Sequence, residues 1–141
     1  MAIPDINNIK TVPKLFWYNV ENYRDDVTMW RKQRGVWESH TWGDYGNWSR
    51  DIGHALIAEG LKPGDKISIL SETRMEWVVL DMAIMGIGCI TAPVYPSNTE
   101  KQVKYIVKHS ESKVVFAEDQ EQLDKMLVIW KDLPMLKKIV V

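Results

Sequence analysis

Short apolar runs alternate with stretches of helical periodicity over residues 65–141, and this pattern restricts the fold more than any other feature of the sequence. The runs are "KISILS", "CITAPVY", "KVVFAE" and "KKIVV". Apolar runs separated by helices and short connections predict parallel strands joined by right-handed crossovers. The runs do not alternate with polar residues, which indicates strands covered on both faces. We therefore expect an α/β fold with a mainly parallel sheet, in the order β-α-β-α-β-α-β.

A helix-start motif follows each of the first three runs, with Thr or Asp placed three residues before Glu or Gln. In this spacing the first side chain accepts from a backbone N–H of the first turn, and the second reaches back to the cap. The three motifs are Thr73 with Glu76, Thr99 with Gln102, and Asp119 with Gln122. We expect the three helices to end near Met85, Ser110 and Trp130.

The first part of the chain predicts a helix, a hairpin and a second helix. Thr11 is placed to cap the first helix. Two short strands, "VTMWRKQ" and "VWESHTW", flank Arg34 and Gly35, where the glycine supplies the positive φ of a tight turn. The second helix has an apolar face at three- and four-residue spacings, formed by Trp42, Tyr45, Trp48, Ile52, Ala55 and Leu56. We divide the chain into a helix-hairpin-helix half at 1–60 and a parallel β/α half at 61–141.

The most apolar segment, residues 73–99, could in principle be a membrane span or a cofactor loop. Glu76 and Asp81 interrupt it and two prolines close it, whereas a spanning helix needs about 20 residues with few charges. The glycines of a dinucleotide fingerprint follow a strand and precede a helix. Gly86 and Gly88 instead follow a predicted helix and precede a predicted strand. The segment is therefore predicted to be a buried crossover helix and the strand after it.

Charge, cysteine and histidine content argue against several classes of protein. The net charge is −1 and no interleaved pattern of basic and aromatic residues suggests stacked bases, so nucleic-acid binding is not expected. Cys89 is the single cysteine, which fits a reducing compartment, and "MAIPDINNIK" lacks a secretion signal. His40, His54 and His109 fall on separate elements without metal-site spacing. We expect no metal site, and we expect Cys89 in the core.

A further set of residues follows a distinctive order between Thr41 and Lys113. It comprises Thr41 and Tyr45; Gly60, Leu61, Pro63, Gly64 and Asp65; Glu76 and Trp77; Asp81 and Ala83; Gly86 and Gly88; Pro93, Tyr95 and Pro96; and Ser110, Glu111 and Lys113. In this order the chain resembles the N-terminal region of the AMP-forming adenylating enzymes, and among them the bacterial long-chain fatty acid–CoA ligases. The resemblance is firmest over residues 41–119, and it rests on many positions agreeing in order.

The resemblance implies a two-step reaction in a parent enzyme. A fatty carboxylate attacks the α-phosphate of Mg·ATP to give an acyl-adenylate and pyrophosphate, and the CoA thiol then displaces AMP. ATP, Mg²⁺ and CoA are thus implied for the parent, together with the remainder of its chain. A cytoplasmic location is implied, with peripheral contact to a membrane as an alternative.

The same resemblance implies that the catalytic parts are not in this sequence. In the family, the phosphate loop, the magnesium-ligating Glu and the catalytic Lys lie in later sequence than residues 1–141 cover. We therefore expect the chain to be the N-terminal part of an AMP-binding domain, truncated before the phosphate loop. We assign it no catalytic residue and no metal ligand, and we expect it to be inactive by itself.

Substrate contact is expected, if anywhere, in the loop "PVYPSNT". Tyr95 follows a parallel strand, and ligands of α/β folds bind at such strand ends. The alternative is packing, in which proline fixes the turn and tyrosine fills it. Two other functions stay open: a stand-alone binding or assembly module whose open sheet edge forms a homo-oligomer, and an adenylating ligase for an aryl, short-chain or amino acid.

Overall fold

A computed structural model describes residues 9–141. Most of the N-terminal stretch that argued against a secretion signal therefore lies outside the described residues. The first half contains α1 (Val12–Asn22), β1 (Val27–Gln33), β2 (Val36–Thr41) and α2 (Trp42–Ala58). The second half contains β3 (Lys66–Leu70), α3 (Met75–Gly86), β4 (Ile90–Val94), α4 (Glu100–Ser110), β5 (Val114–Ala117), α5 (Gln120–Ile129), a 3₁₀ turn (Trp130–Asp132) and β6 (Lys138–Val140).

The four strands of the second half form one parallel sheet in the order β4-β3-β5-β6, and β1 and β2 form a separate antiparallel hairpin. The α/β fold with a parallel sheet is confirmed. The turn at Arg34 and Gly35 is confirmed too, with φ of 49° and 84° at the two residues. Both residues of the turn therefore adopt the left-handed region, as the hairpin twist demands.

Side chains of the sheet alternate between two helical layers. Ile67 and Ile69 of β3 are fully buried among residues of α2 and α3, while Leu70 is buried among residues of α4 and α5. Val115 of β5 faces the same side as Leu70, and Val114 faces α2 and α3. Because both faces of the sheet are covered, its central strands read as unbroken apolar runs.

A third cluster joins α1, α2, α3 and the hairpin, so the two halves of the chain share a core. Phe16, Val20, Tyr45 and Val79 are its buried members. The hydroxyl of Tyr45 donates to the carbonyl of Val78 at 3.0 Å, and burial raises the pKa of this phenol to about 12. The buried Tyr45 therefore stays neutral and ties α2 to α3.

Two helix starts agree with their sequence motifs and one does not. Asp119 accepts from the N–H of Gln122 at 3.0 Å, and Gln102 accepts from the N–H of Thr99 at 2.8 Å. The prediction that Thr73 caps α3 is wrong, because the N-cap is Arg74 and no side chain caps this helix. Arginine side chains hold the carboxylate of the motif instead, as described for the site below.

The apolar face of α2 also differs from the prediction at one position. Ala55 is exposed, whereas Gly46, Ser49 and Gly53 are buried. A Cβ at Gly46 would lie 2.5 Å from Cγ1 of Val20 in α1, and a Cβ at Gly53 would lie 3.2 Å from Cγ2 of Ile87. Residues without side chains are therefore what let α2 approach its neighbours closely, and hydrophobic periodicity does not register them.

Coverage on both faces holds for the centre of the sheet but not for its edge. In β3 the residues Ile67–Leu70 are all buried, but in β4 Ile90 is 50% exposed and Pro93 is exposed as well. Pro93 lacks a backbone N–H, and proline in a sheet is confined to edge strands and strand ends. The expectation of strands covered on both faces is thus wrong for β4.

The apolar segment 73–99 is a crossover helix followed by a strand, as predicted. None of the residues 75–85 of α3 is exposed. Gly88 has φ of 77° and turns the chain into β4, beside Pro63. Gly86 does not bring helix and sheet together, because it is exposed and a Cβ there would meet only the indole of Trp17 at 3.8 Å. Among the described helices, none has the length and apolar character to cross a bilayer.

Candidate functional site at the carboxyl edge of the sheet

The topology creates a crevice between the carboxyl ends of β3 and β5. These strands are neighbours, yet β3 continues into α3 on one face of the sheet and β5 continues into α5 on the other. Loops that leave adjacent strands toward opposite faces open a gap, which is where open α/β sheets bind ligands. A cavity of about 210 Å³ lies here, lined by Ile69, Ser71, Arg74, Phe116, Glu118 and Val140 among others.

Glu118, the residue after β5, organises this crevice. Its Oε2 accepts from the backbone N–H of Glu72 at 2.7 Å and from the hydroxyl of Ser71 at 3.1 Å. Its Oε1 accepts from Nη1 of Arg74 at 2.9 Å. One carboxylate therefore holds the whole loop between β3 and α3 against the end of β5.

Arg74 extends this contact into a network of four charged side chains. Its Nε donates to Oε2 of Glu76 at 2.7 Å, and Glu76 also pairs with Arg31 of the hairpin at 3.1 Å. Glu76 thus bridges α3 and β1 and is not available to cap the helix. Two carboxylates and two guanidinium groups alternate, so the cluster of Arg31, Glu76, Arg74 and Glu118 is electrically balanced.

The network shifts the pKa values of its members. The hydrogen bond from the N–H of Glu72 is the main reason that the pKa of Glu118 lies below its ordinary value, with further help from Arg74 and Ser71. Burial pulls the pKa of Glu76 upward, but the hydrogen bonds and positive charge around it, chiefly from Arg74, bring it below its ordinary value. Hydrogen bonding to Glu76 raises the pKa of Arg74. All three groups are charged at neutral pH.

The charged groups of this cluster already bind one another, and this limits the chemistry that they can perform. Arg74 already contacts two carboxylates, and both oxygens of Glu118 already accept hydrogen bonds. A residue acting as general base or as an anion-binding cation needs a free lone pair or a free charge. The arrangement therefore suits the positioning of a loop rather than bond making and breaking.

Tyr95, the residue singled out from sequence, lies on the same edge of the sheet but outside the crevice. It follows β4, which is separated from β5 by β3. Its side chain is 77% exposed and its carbonyl accepts from the N–H of Asn98, which closes a turn. Lys125 of α5 donates to the carbonyl of Pro96 at 2.7 Å and anchors the loop. Among the described residues the ring of Tyr95 does not pack into this turn, and its contact with substrate stays a prediction.

The histidines and the cysteine do not meet. The ring of His40 contacts Trp48 edge-on at 5.2 Å, that of His109 stacks on Tyr105 at 5.6 Å, and His54 is exposed on α2. Cys89 is 5% exposed, which confirms its core placement, and burial raises the pKa of its thiol. None of these residues lines the crevice.

Sequence reasoning missed Ser71, Arg74 and Glu118. A signal was present, because each lies at or just after the end of an apolar run, where parallel strands place their ligand-facing loops. The sequence could not show that the runs ending in Ser71 and Ala117 are adjacent strands, since the strand between them in the chain lies at the sheet edge. That adjacency is what brings Glu118 to Arg74.

Comparison with known proteins decides the family. The sequence profile described as "AMP-binding enzyme" matches residues 16–141, which is most of the chain. The chain belongs to the AMP-binding enzyme family. This confirms the resemblance that the sequence suggested.

Two curated relatives are much longer than this chain and match it over most of its length. It is 34% identical over 122 residues to the long-chain-fatty-acid–CoA ligase FadD15 of Mycobacterium tuberculosis, covering 84% of this chain and 20% of that protein. It is 28% identical over 131 residues to the human long-chain-fatty-acid–CoA ligase ACSBG1, covering 93% of this chain and 18% of that protein. The chain spans about one-fifth of the length of these relatives.

Solved structures share the fold at low sequence identity. A structure of the anthranilate CoA ligase AuaEII with anthranoyl-AMP superposes with a TM-score of 0.83 at 22% identity, covering 92% of this chain and 24% of that one. A fatty acyl-adenylate ligase from L. pneumophila gives 0.80 at 18% identity, covering 99% and 25%. At these identities the likeness establishes the fold of this AMP-binding family member.

Proposed function

We propose that residues 1–141 form the N-terminal part of the adenylation domain of an ATP-dependent long-chain fatty acid–CoA ligase. The parent enzyme would form an acyl-adenylate from a fatty acid and ATP, and would then transfer the acyl group to CoA. The observation that carries the proposal is the 34% identity, over 84% of this chain, to a protein named a long-chain-fatty-acid–CoA ligase. A helix-hairpin-helix half and a parallel β/α half would together build this part, in a cytoplasmic enzyme.

The described residues do not themselves fit Mg·ATP. No group of three or more His, Cys, Asp or Glu side chains in residues 9–141 is arranged to hold a metal ion. The crevice has a cation, Arg74, but Glu76 and Glu118 already neutralise it. What these residues do is hold the β3–α3 loop and the end of β5 in fixed positions at the carboxyl edge.

Tyr95 is our proposed substrate-facing residue in the parent. Its exposed ring stands at the end of a parallel strand, on a loop that Lys125 fixes from α5. An exposed aromatic ring on an anchored loop can close over a ligand without a large loss of conformational entropy. A role in contacting the acid or the adenylate would follow from this position.

The first test is the intact mass of the natural gene product, captured from its own cells with an antibody to this chain. A species several times larger than 16.4 kDa supports the proposal. That product should release pyrophosphate only when ATP and a long-chain fatty acid are both present, and should form a CoA thioester. A natural product of 16.4 kDa, or a larger product without this activity, would contradict the proposal.

The acid is tested by the same assay. The alternative hypothesis, a ligase for another class of acid, predicts faster turnover of aryl, short-chain or amino acids than of long-chain acids. One solved structure that shares the fold is an anthranilate CoA ligase. Turnover with a panel that includes palmitate, benzoate, anthranilate, acetate and alanine separates these readings. Preference for palmitate supports the proposal, and preference for another acid replaces the long-chain assignment.

The hypothesis of a stand-alone module predicts that copies of the chain associate through an unpaired strand edge. At one edge of the sheet Pro93 blocks pairing along β4. At the other edge β6 pairs with β5 on its inner side, and its outer side faces no strand of the described residues. Sedimentation equilibrium of the 141-residue chain tests this reading. Lys137 donates its N–H to the carbonyl of Lys113, just before β5, so the next N–H along the chain, that of Lys138 in β6, points outward. A discrete dimer that Lys138→Pro converts to a monomer would favour the module, and a monomeric unaltered chain would argue against it.

A further inference from the structure

The register of the β1–β2 hairpin places two tryptophans on one face. Trp30 pairs with Ser39 and Lys32 pairs with Trp37, so all four side chains point to the same side of the ribbon. Trp30 is 62% exposed and Trp37 is 59% exposed. We call these four residues the tryptophan face. Two large indole rings are thus mostly exposed on one face of the hairpin. Exposed apolar clusters mark interaction surfaces, so this face is a candidate for one.

The opposite face of the hairpin is the one that packs on the body. Met29 lies against the core formed by α1 and α2, Arg31 pairs with Glu76 of α3, and the ring of His40 contacts Trp48 of α2. These contacts fix which way the ribbon faces. The tryptophan face is therefore turned outward by the fold and is not a product of an unanchored hairpin.

The charge of the tryptophan face has one sign. Nζ of Lys32 lies 5.9 Å from the ring centroid of Trp37, close enough for a cation–π contact. Arg34 adds a second cation at the turn, whereas Glu38, the acidic residue of the two strands, lies opposite Arg31 in the register and therefore on the other face. The outward surface thus combines indole rings with positive charge and carries no acidic side chain.

We propose that the tryptophan face docks this chain on an anionic lipid surface. Tryptophan favours the membrane–water interface because its ring is apolar and its N–H is polar. Lysine and arginine beside it gain from the negative potential of anionic headgroups. A stable protein–protein interface buries about 800 Å² on each partner and excludes lysine from its centre. Four residues centred on Lys32 match a shallow lipid contact better.

This inference is independent of the ligase assignment, and its test does not use enzymatic activity. Purified chain is mixed with large unilamellar vesicles of phosphatidylcholine alone, or with about one-third phosphatidylserine, and the bound fraction is measured by flotation. Binding is expected on the anionic vesicles and is expected to fall steeply as salt is raised. Absence of binding to anionic vesicles overturns the proposal, as does equal binding to both vesicle types.

Variants locate the contact. Replacing both rings, Trp30→Ser with Trp37→Ser, is expected to lower partitioning about tenfold, because buried apolar area drives interfacial binding. The matched control is Leu127→Ser with Val128→Ser on α5, whose side chains are 57% and 65% exposed. The control is expected to bind like the unaltered chain. Equal losses in both variants would show nonspecific adhesion and overturn the proposal.

The charge contribution has its own variant, Lys32→Glu. It is expected to weaken binding to anionic vesicles severalfold while leaving the far-ultraviolet circular dichroism unchanged. Sedimentation of the chain without vesicles is the last check. A dimer that the double tryptophan variant converts to monomer would assign the face to a second copy and overturn the lipid assignment. If a longer natural product does not bind the vesicles, the tryptophan face is assigned to a contact with the rest of that product, which also overturns the lipid assignment.

Discussion

Nη1 of Arg74 lies 2.9 Å from Oε1 of Glu118, across a gap of 44 residues in sequence. Arg74 is the N-cap of α3, which follows β3, and Glu118 is the first residue after β5. The contact joins two loops that leave adjacent strands toward opposite faces of the sheet. It closes the crevice at the carboxyl edge and defines the shape of that edge for whatever binds there.

Removing the charge of Glu118 is expected to destabilise the fold. The variant Glu118→Gln loses the ion pair with Arg74 and weakens the bond from the N–H of Glu72. We expect the free energy of unfolding to fall by about 1 kcal/mol, because a partly buried hydrogen bond to a charged group is worth somewhat more than a neutral one. Urea denaturation followed by circular dichroism measures the change.

The control for this variant is an exposed ion pair elsewhere. Lys104 and Asp132 lie 2.6 Å apart, but more than half of the Asp132 side chain is exposed to solvent. Exposed pairs contribute little, so Asp132→Asn is expected to leave the denaturation midpoint unchanged. Equal shifts for Glu118→Gln and Asp132→Asn would contradict the special role of the crevice contact.

The same carboxylate should make stability depend on pH. The pKa of Glu118 in the folded state is lower than its ordinary value of 4.5, mainly because of the hydrogen bond from the N–H of Glu72. A lowered folded-state pKa means that the unfolded chain binds the proton more readily. The contribution of Glu118 is therefore complete above pH 4.5 and is lost as the pH falls through the lower folded-state value.

Comparing two chains isolates this effect from other carboxylates. The difference in unfolding free energy between the unaltered chain and Glu118→Gln is expected to be constant from about pH 6 to 8 and to shrink as the pH approaches 3. Urea titrations at several pH values measure it. A difference that grew on acidification would show that the sign of the shift is wrong.

Gly46 is expected to tolerate no side chain. A Cβ there would lie 2.5 Å from Cγ1 of Val20, so Gly46→Ala forces α1 and α2 apart. Overpacking of this kind costs about 1–3 kcal/mol, although alanine itself favours a helix by about 1 kcal/mol. A lowered thermal midpoint is the expected net result. Gly46→Ala with Val20→Ala should recover part of the loss if the clash is the cause.

Gly86 supplies the matched control for that variant. It also lies in a helix, but a Cβ there would meet only Nε1 of Trp17 at 3.8 Å, an ordinary contact distance. Gly86→Ala is expected to leave stability unchanged or to raise it slightly. If Gly86→Ala lowered the thermal midpoint as much as Gly46→Ala, close approach would not explain the glycine in α2.

Cys89 is expected to react slowly in the folded chain. Its side chain is buried and burial raises the pKa of its thiol, so little thiolate is present and a reagent cannot reach it. The rate of thiol–disulfide exchange with an aromatic disulfide reagent, which releases a coloured thiolate, should rise strongly at pH 8 when urea unfolds the chain. A folded-state rate close to the unfolded one would show that the core opens readily around β4.

Tyr95 is expected to matter for ligand binding rather than for folding. Because its ring is 77% exposed, Tyr95→Ala should leave the denaturation midpoint nearly unchanged, whereas Val94→Ala, at a residue 2% exposed, should lower it clearly. In the active natural product, Tyr95→Ala is expected to raise KM for the acid or for ATP. An unchanged KM and kcat would remove Tyr95 from the substrate site.

Several features of this protein follow from the sequence because they are local. Apolar runs, helical periodicity and turn residues mark the α-helices and strands of the described chain, and the Thr99 and Asp119 motifs mark two helix starts. These signals depend on neighbours within four residues, so they can be read without knowing the fold. The Thr73 motif does not cap its helix, because a contact from a distant part of the chain competes with the local one. The carboxylate of Glu76 forms ion pairs with Arg74, at the N-cap, and with Arg31, which lies in the first half of the chain.

The tertiary structure alone decided which loops meet. The strand order β4-β3-β5-β6 places β5 beside β3 although β4 lies between them in sequence, and this brings Glu118 to Arg74. Packing of Met29 and Arg31 against the helices likewise turned the opposite face of the hairpin outward, which the predicted turn does not reveal although it sets the register. Local interactions fix the elements, while burial of apolar surface between distant elements fixes their arrangement, and only that arrangement creates the crevice and the outward tryptophan face.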